Sequence, residues 1–201
     1  MEKVTNYKIK DFLKIKNEEL ISQYSAILEL LQPIKEIDNP DYNWFKRSPK
    51  KIMVKEVKSL SFGEVSILRN NLNEPILENI FESVKIVTGL DEKLIWDFTI
   101  IDFYSILCGI KEDLITLSHM EANELSNDDV DVHMEMVNAS QRMSRFGVAN
   151  PINSLAGDDI TKWGEIEKLP YMTVITKLIM DKEKAAIQNE VRELQQKQQQ
   201  K

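Results

Sequence analysis

The sequence contains little of what several fold classes require. It has one cysteine, six glycines and six prolines in 201 residues. Because a single cysteine cannot form an internal disulfide, we expect a reducing compartment and a core that holds without covalent cross-links. Low glycine and proline content argues against a loop-rich all-β fold. These absences favour a mainly α-helical protein.

Long apolar runs are also missing. No run approaches the roughly 18 residues of a membrane span, and the first residues lack the basic-then-apolar layout of a signal peptide. We therefore predict no membrane association and a cytoplasmic location. The formal net charge of −7 makes nucleic acid an unlikely partner, since bulk electrostatics would oppose binding.

Sequence motifs that carry catalysis are absent as well. The chain has no glycine-rich phosphate loop, no Gly-x-Gly-x-x-Gly turn and no Gly-x-Ser-x-Gly nucleophile elbow. Cys108 lies in an apolar run and is interpreted as a buried small hydrophobe rather than a nucleophile. We predict no catalytic residues, no cofactor and no enzymatic activity.

The two histidines form the one candidate metal constellation. His119 and His133 are each followed by Met-Glu, which places Glu121 and Glu135 two residues further on. Imidazole and carboxylate groups can coordinate a divalent ion, but the His-Glu-x-x-His spacing that puts two ligands on one helical face is absent. A metal-dependent enzyme is therefore the least favoured alternative, and no metal ligand is predicted.

Four helix starts are marked by capping residues or proline. Ser61 and Glu64 form a capping box that predicts a helix to about residue 71, and a second helix follows from about 75 to Gly89. Side-chain caps at Asp91 and Thr99 predict a short helix and a central helix to about residue 125. Pro170 opens a long C-terminal helix. An apolar stripe also predicts an N-terminal helix over 18–31.

Several segments leave their structure open or favour a loop. Residues 52–57 are compatible with a short strand or an extended lead-in to the next helix, and 130–137 fit both strand and helix periodicity. Residues 146–157 are rich in turn formers and predict a loop, followed by a short helix over 158–168. Overall we predict an irregular helical bundle in three regions: 1–59, an N-terminal helix and basic connection; 60–168, a helical core; and 169–201, a long helix with a polar tail.

The C-terminal helix is the first candidate binding surface. Its distal part, 181–201, is dominated by Lys, Glu and Gln, which is compatible with a solvated or frayed tail and with a partner-binding or coiled-coil helix. The predicted partner contacts are its apolar side chains Met172, Ile175, Ile179, Ile187, Val191 and Leu194.

A basic segment is the second candidate surface. It follows Trp44 and Phe45, which we expect to pack within an irregular connection, and it comprises Lys46, Arg47, Lys50, Lys51, Lys55 and Lys58. Charge next to aromatic rings is typical of single-stranded nucleic-acid binding. A solvated edge, or a surface for an acidic partner, is the favoured interpretation. The acidic partner considered is the 111–135 segment of a neighbouring copy, which has eight acidic residues and one lysine.

Two helix-start segments carry a family resemblance: Ser61-Phe-Gly-Glu-Val-Ser-Ile-Leu-Arg69 and Glu167-Lys-Leu-Pro-Tyr-Met-Thr-Val-Ile-Thr-Lys-Leu178. With them the chain resembles small helical morphogenesis proteins of tailed bacteriophages, namely tail assembly chaperones and tail, baseplate or connector assembly proteins. The resemblance implies a non-enzymatic protein of the host cytoplasm or the virion. It also implies other phage structural or tail proteins, or further copies of the chain, as partners.

Overall fold

The computed structural model describes residues 7–16, 28, 30–46, 48–126 and 136–199. The helices within these residues are α1 (Ile9–Phe12), α2 (Phe62–Asn73), α3 (Leu77–Thr88), α4 (Glu92–Ile95), α5 (Ile100–Leu125), α6 (Ala139–Ser144), α7 (Ala149–Leu155), α8 (Trp163–Glu167) and α9 (Tyr171–Gln199). The only sheet in this part of the chain pairs β1 (Glu36–Asp38) with β2 (Lys51–Met53). The predicted mainly α fold with a long C-terminal helix is confirmed.

Some predictions fall outside the described residues. Residues 17–27 and 29 include most of the predicted N-terminal helix, and residues 127–135 include most of the segment left open between strand and helix. The chain groups into two compact units, which we describe separately. The first unit comprises residues up to 60 and 64–116, and the second comprises 61–63 and the residues from 117 on. The three-region division stays a prediction.

The four helix starts predicted at Ser61, Asp91, Thr99 and Pro170 are found, each helix beginning at the next residue, whereas the helix predicted from about residue 75 begins at Leu77. Leu60 and Val65, which flank the capping box at Ser61, are both buried, as expected for a hydrophobic staple at a helix start. Helix α3 ends where Gly89 adopts a left-handed conformation with φ 69°, and its N–H donates to the Lys85 carbonyl at 2.7 Å. Glycine accepts this conformation without the steric cost that a Cβ brings.

The central helix begins with the predicted cap. The Thr99 hydroxyl accepts the Asp102 N–H at 3.1 Å and donates to the Asp102 carboxylate at 2.8 Å. The predicted apolar face of α5 is buried at Phe103, Ile106, Ile110, Leu114 and Leu117, with Leu107 partly exposed. A period of three to four residues therefore identified the correct face.

The predicted side-chain cap at Asp91 is wrong, although α4 starts at the expected residue. Asp91 occupies the N-cap position without a side-chain cap hydrogen bond. Its main-chain carbonyl instead accepts the N–H of Leu94 at 2.9 Å and that of Ile95 at 3.3 Å. Backbone hydrogen bonds alone close this short turn.

The short β segment is present but shifted from 52–57. Strands β1 and β2 are antiparallel, with Ile37 opposite Ile52 and Asp38 opposite Lys51. The strand ends at Met53, and Val57 begins a 3₁₀ turn over Val57–Ser59. Because the Val57 N–H donates to the Asp113 carboxylate at 2.9 Å, it is not used in a sheet ladder.

In the second unit, the two segments that carry the family resemblance meet. Ser61 and Pro170 form an isolated β-bridge, and the Phe62 N–H donates to the Leu169 carbonyl at 2.9 Å. Tyr171 is fully buried and its ring stacks on Phe62 with centroids 6.2 Å apart. The start of α9 is thus held by contacts as well as by Pro170.

The predicted loop over 146–157 is wrong, because its centre is helix α7. Pro151 is the third residue of α7, within the first turn, where the missing N–H removes no helical hydrogen bond. Ile152 and Ala156 are buried, and their burial favours helix over the turn-forming tendency of the neighbouring residues. The short helix predicted over 158–168 is present as a 3₁₀ turn, Ile160–Lys162, followed by α8.

No helix in the described ranges is both long enough and apolar enough to cross a membrane.

Candidate interaction surfaces

The side chains considered for chemistry do not form a site within the described residues. His119 is exposed on α5, while His133 and Glu135 lie outside the described part of the chain. Glu121 accepts a hydrogen bond from the buried Tyr171 hydroxyl at 2.5 Å. Where the structure describes the chain, no three His, Cys, Asp or Glu side chains gather at metal-binding spacing.

Cys108 is partly buried in the first unit. Burial raises the pKa of its thiol, and the nearby Glu112 carboxylate adds to this effect. A raised pKa reduces the thiolate fraction at neutral pH, and the thiolate is the nucleophilic form. The prediction that Cys108 is buried is thus met only in part, since its side chain is partly exposed.

The six predicted partner contacts on α9 divide between core and surface. Ile175 is 1% exposed and belongs to the core of the second unit, so it is not part of a binding surface. Ile179 is partly buried, whereas Met172, Ile187, Val191 and Leu194 are exposed. Helical spacing alone could not separate these positions, because it specifies a face but not how far along the helix the core extends.

The distal half of α9 projects from the second unit. The Lys182 ammonium donates to the Glu124 carbonyl at 2.9 Å, and beyond Lys182 every described side chain of α9 is exposed. At about 1.5 Å per residue, residues 183–199 extend about 25 Å. This length of helix is stabilised by little besides its own hydrogen bonds.

Four exposed apolar side chains follow one face of α9, and the last three lie on its projecting part. They are separated by seven, four and three residues, the spacing of a coiled-coil seam, and we call them the α9 row: Met180, Ile187, Val191 and Leu194, which are 63%, 52%, 47% and 60% exposed. Sequence reasoning found three of the four. Met180 could have been found from its seven-residue distance to Ile187.

The loop that closes the β hairpin exposes two large aromatic side chains. Trp44 is 72% exposed and Phe45 is 87% exposed, with their rings edge to face at 5.0 Å between centroids. We call this pair the aromatic tip. The prediction that these side chains pack within the connection is wrong, because both are largely exposed where they stand in the 3₁₀ turn Trp44–Lys46.

Hydrogen bonds hold the loop that carries the aromatic tip. The Asn39 amide donates to the Pro49 carbonyl at 2.8 Å and joins the two sides of the loop. The Ser48 hydroxyl accepts the Asn43 N–H at 2.7 Å, and the Asn43 side chain accepts the Phe45 N–H at 2.9 Å. These hydrogen bonds fix the backbone of the loop in the conformation that exposes the aromatic tip.

The basic segment beside the tip is partly neutralised. Lys51 pairs with Glu36, which raises the pKa of the lysine, and Lys58 pairs with Glu56 at 2.9 Å. The Lys58 ammonium lowers the pKa of Glu56 in turn. Lys50 and Lys55 are exposed, whereas the side chains of Lys46 and Arg47 lie outside the described residues. Of the four described lysines, two are therefore already paired with a carboxylate, which lowers the net positive charge that this surface offers to an external anion.

A cleft of about 640 Å³ lies in the first unit, beside α3 and α4. Phe81 and Trp96 contact each other there with ring centroids 4.4 Å apart, and the Trp96 indole N–H donates to Glu92 at 3.2 Å. We call it the acidic cleft because four glutamates and two lysines line it: Glu64, Glu78, Glu82, Glu92, Lys55 and Lys85. Sequence reasoning missed this cleft. The four-residue spacings Glu78–Glu82 and Glu92–Trp96 are the only sequence signals for it.

Comparison of the chain with protein-family models, curated proteins and solved structures gives no match.

Proposed function

We propose that this chain is a non-enzymatic assembly protein of a tailed bacteriophage and that it binds its partner through the α9 row. The observation that carries the proposal is the α9 row, an exposed apolar face of α9 whose last three side chains lie on the projection beyond Lys182. An amphipathic helix of this kind is recognised by a groove or by another helix that buries its apolar face. Each buried apolar side chain contributes roughly 1.5–3 kcal/mol to such a contact.

The phage context is supported by the resemblance of the segments that begin at Ser61 and Glu167. In this proposal the partner is a tail, baseplate or connector protein, met in the host cytoplasm. The proposal covers two roles for this chain: a chaperone that leaves the finished tail, and a component that stays in the virion. Polar residues surround the α9 row, which suits a surface that must stay in solution before its partner is present.

The experiment compares two triple variants of α9. One removes the row, with Ile187→Ser, Val191→Ser and Leu194→Ser. The matched control changes the opposite face, with Asn189→Ser, Arg192→Ser and Gln196→Ser. Each chain is co-expressed with the tail and baseplate genes of the same genome, and captured proteins are identified by mass spectrometry.

We expect the wild type and the opposite-face control to capture a defined tail component, and the row variant to capture at least tenfold less. Circular dichroism should show that both variants keep the core helices. Equal capture by both variants would remove the α9 row as the contact. Capture of no tail component by any of the three would remove the phage assignment.

A further inference from the structure

The aromatic tip resembles the central, energetically dominant part of a protein–protein interface. Tryptophan and other large aromatic side chains are enriched among residues that dominate binding energy, and Trp44 and Phe45 are largely exposed. In the sequence they are followed by Lys46, Arg47 and Lys50. A surface that receives the tip should therefore be concave, partly aromatic and negatively charged.

The acidic cleft of the same unit has these three properties. Its volume of about 640 Å³ lies within the range of roughly 300–1,000 Å³ that accommodates drug-sized groups, which is sufficient for two aromatic side chains. The accessible aromatic part of its wall is the ring of Trp96, which packs on the buried Phe81, and glutamates outnumber lysines two to one along the lining. The tip and the cleft thus complement each other in shape, aromatic character and charge.

We propose that copies of this chain associate head to tail, with the aromatic tip of one copy seated in the acidic cleft of the next. In this arrangement each pair of copies shares a single tip–cleft contact, so the association is heterologous and continues into a ring or an open chain. The charge of −7 on each copy opposes association at long range. Attraction between the exposed Lys50, which lies in the same loop as the tip, and the acidic cleft favours this orientation over others. The contact uses neither α9 nor the partner proposed for it.

The test uses two variants that each damage one half of the contact. The tip variant is Trp44→Ser with Phe45→Ser. The cleft variant is Glu78→Lys with Glu92→Lys, which leaves Glu82 in place because Glu82 accepts a hydrogen bond from the buried Asn71 at 3.0 Å. A control with the same change in charge, Glu183→Lys with Glu190→Lys, alters exposed residues of α9.

Sedimentation velocity over a range of concentrations at low salt measures the association. We expect species larger than a dimer for the wild type and the α9 control, and monomers for each variant alone. An equimolar mixture of the two variants should stop at a dimer, because only one intact tip and one intact cleft can meet. Raising sodium chloride to 0.5 M should weaken wild-type association severalfold, since salt screens the charges.

Three results would overturn the proposal. The first is a wild type that remains monomeric at every concentration. The second is association that survives in the tip variant, whose substitutions lie outside the core. The third is association that survives in the cleft variant. A monomeric wild type that binds a 20-nucleotide single strand of DNA through the tip would assign the tip to nucleic acid. The α9 row variant described above should still self-associate. This result would show that the contact between copies is distinct from the partner site proposed on α9.

Discussion

At the scale of single residues, Asp97 joins the start of the described chain to the turn after α4. Its carboxylate accepts hydrogen bonds from the ammonium groups of Lys10 at 2.6 Å and Lys8 at 2.9 Å. These hydrogen bonds, Lys10 first, lower the pKa of Asp97 in the folded protein. A lowered folded-state pKa stabilises the fold above the unfolded pKa, and this stabilisation is lost as the pH falls through the folded value.

We expect Asp97→Asn to lower the midpoint of urea unfolding modestly at pH 7. The difference from the wild type should narrow as the pH falls below about 4, where an unperturbed aspartate becomes protonated. Repeating the measurement in 1 M sodium chloride should also narrow it, since both partners are exposed enough to be screened. A difference independent of both pH and salt would mean that the carboxylate charge contributes nothing.

Gly89 provides a second test at this scale. Its φ of 69° is left-handed, and an added Cβ would meet no atom within 4 Å. Gly89→Ala should therefore cost about 1 kcal/mol through backbone strain alone. Gly164 in α8 also has open space but lies in a helix, so Gly164→Ala should instead be stabilising by about 0.5–1 kcal/mol. Urea unfolding measures both effects. If the two variants lose the same amount of unfolding free energy, this explanation is contradicted.

At the scale of elements, the two predicted caps of the first unit provide a matched pair. Thr99 makes the capping hydrogen bond of α5, and Asp91 makes no side-chain cap bond for α4. Thr99→Ala should therefore cost about 1 kcal/mol, whereas Asp91→Ala should cost much less, as measured by chemical denaturation. If Asp91→Ala proves the more damaging, the cap geometry described for these helices is wrong.

Helix starts were predictable from sequence because each depends on a few neighbouring residues. Thr99 with Asp102, and Pro170 with the turn before it, carry their own hydrogen-bonding and φ preferences. Helix α7 was not predictable in this way. Its turn formers favour a loop locally, and that preference is reversed by the burial of Ile152 and Ala156, which tertiary packing decides.

At the scale of the whole molecule, α9 extends from a buried core into a solvent-exposed projection. Removal of residues 183–201 should change the free energy of unfolding by less than about 0.5 kcal/mol, since their described side chains are exposed. Ile175→Ala, in the buried part of the same helix, should cost about 2–5 kcal/mol. Urea unfolding of the two variants measures both. A truncation that costs as much as Ile175→Ala would make the projection part of the core.

The sequence by itself determined the helical class, the helix starts and the buried face of α5, because capping and periodicity act between residues a few positions apart. Tertiary structure decided which apolar side chains are available for binding. Ile175 and Ile187 share helical spacing, yet one is buried and the other exposed. Trp96 lines a cleft while Trp44 lies in solvent. Exposure depends on which distant segments reach a side chain, and local sequence does not encode that.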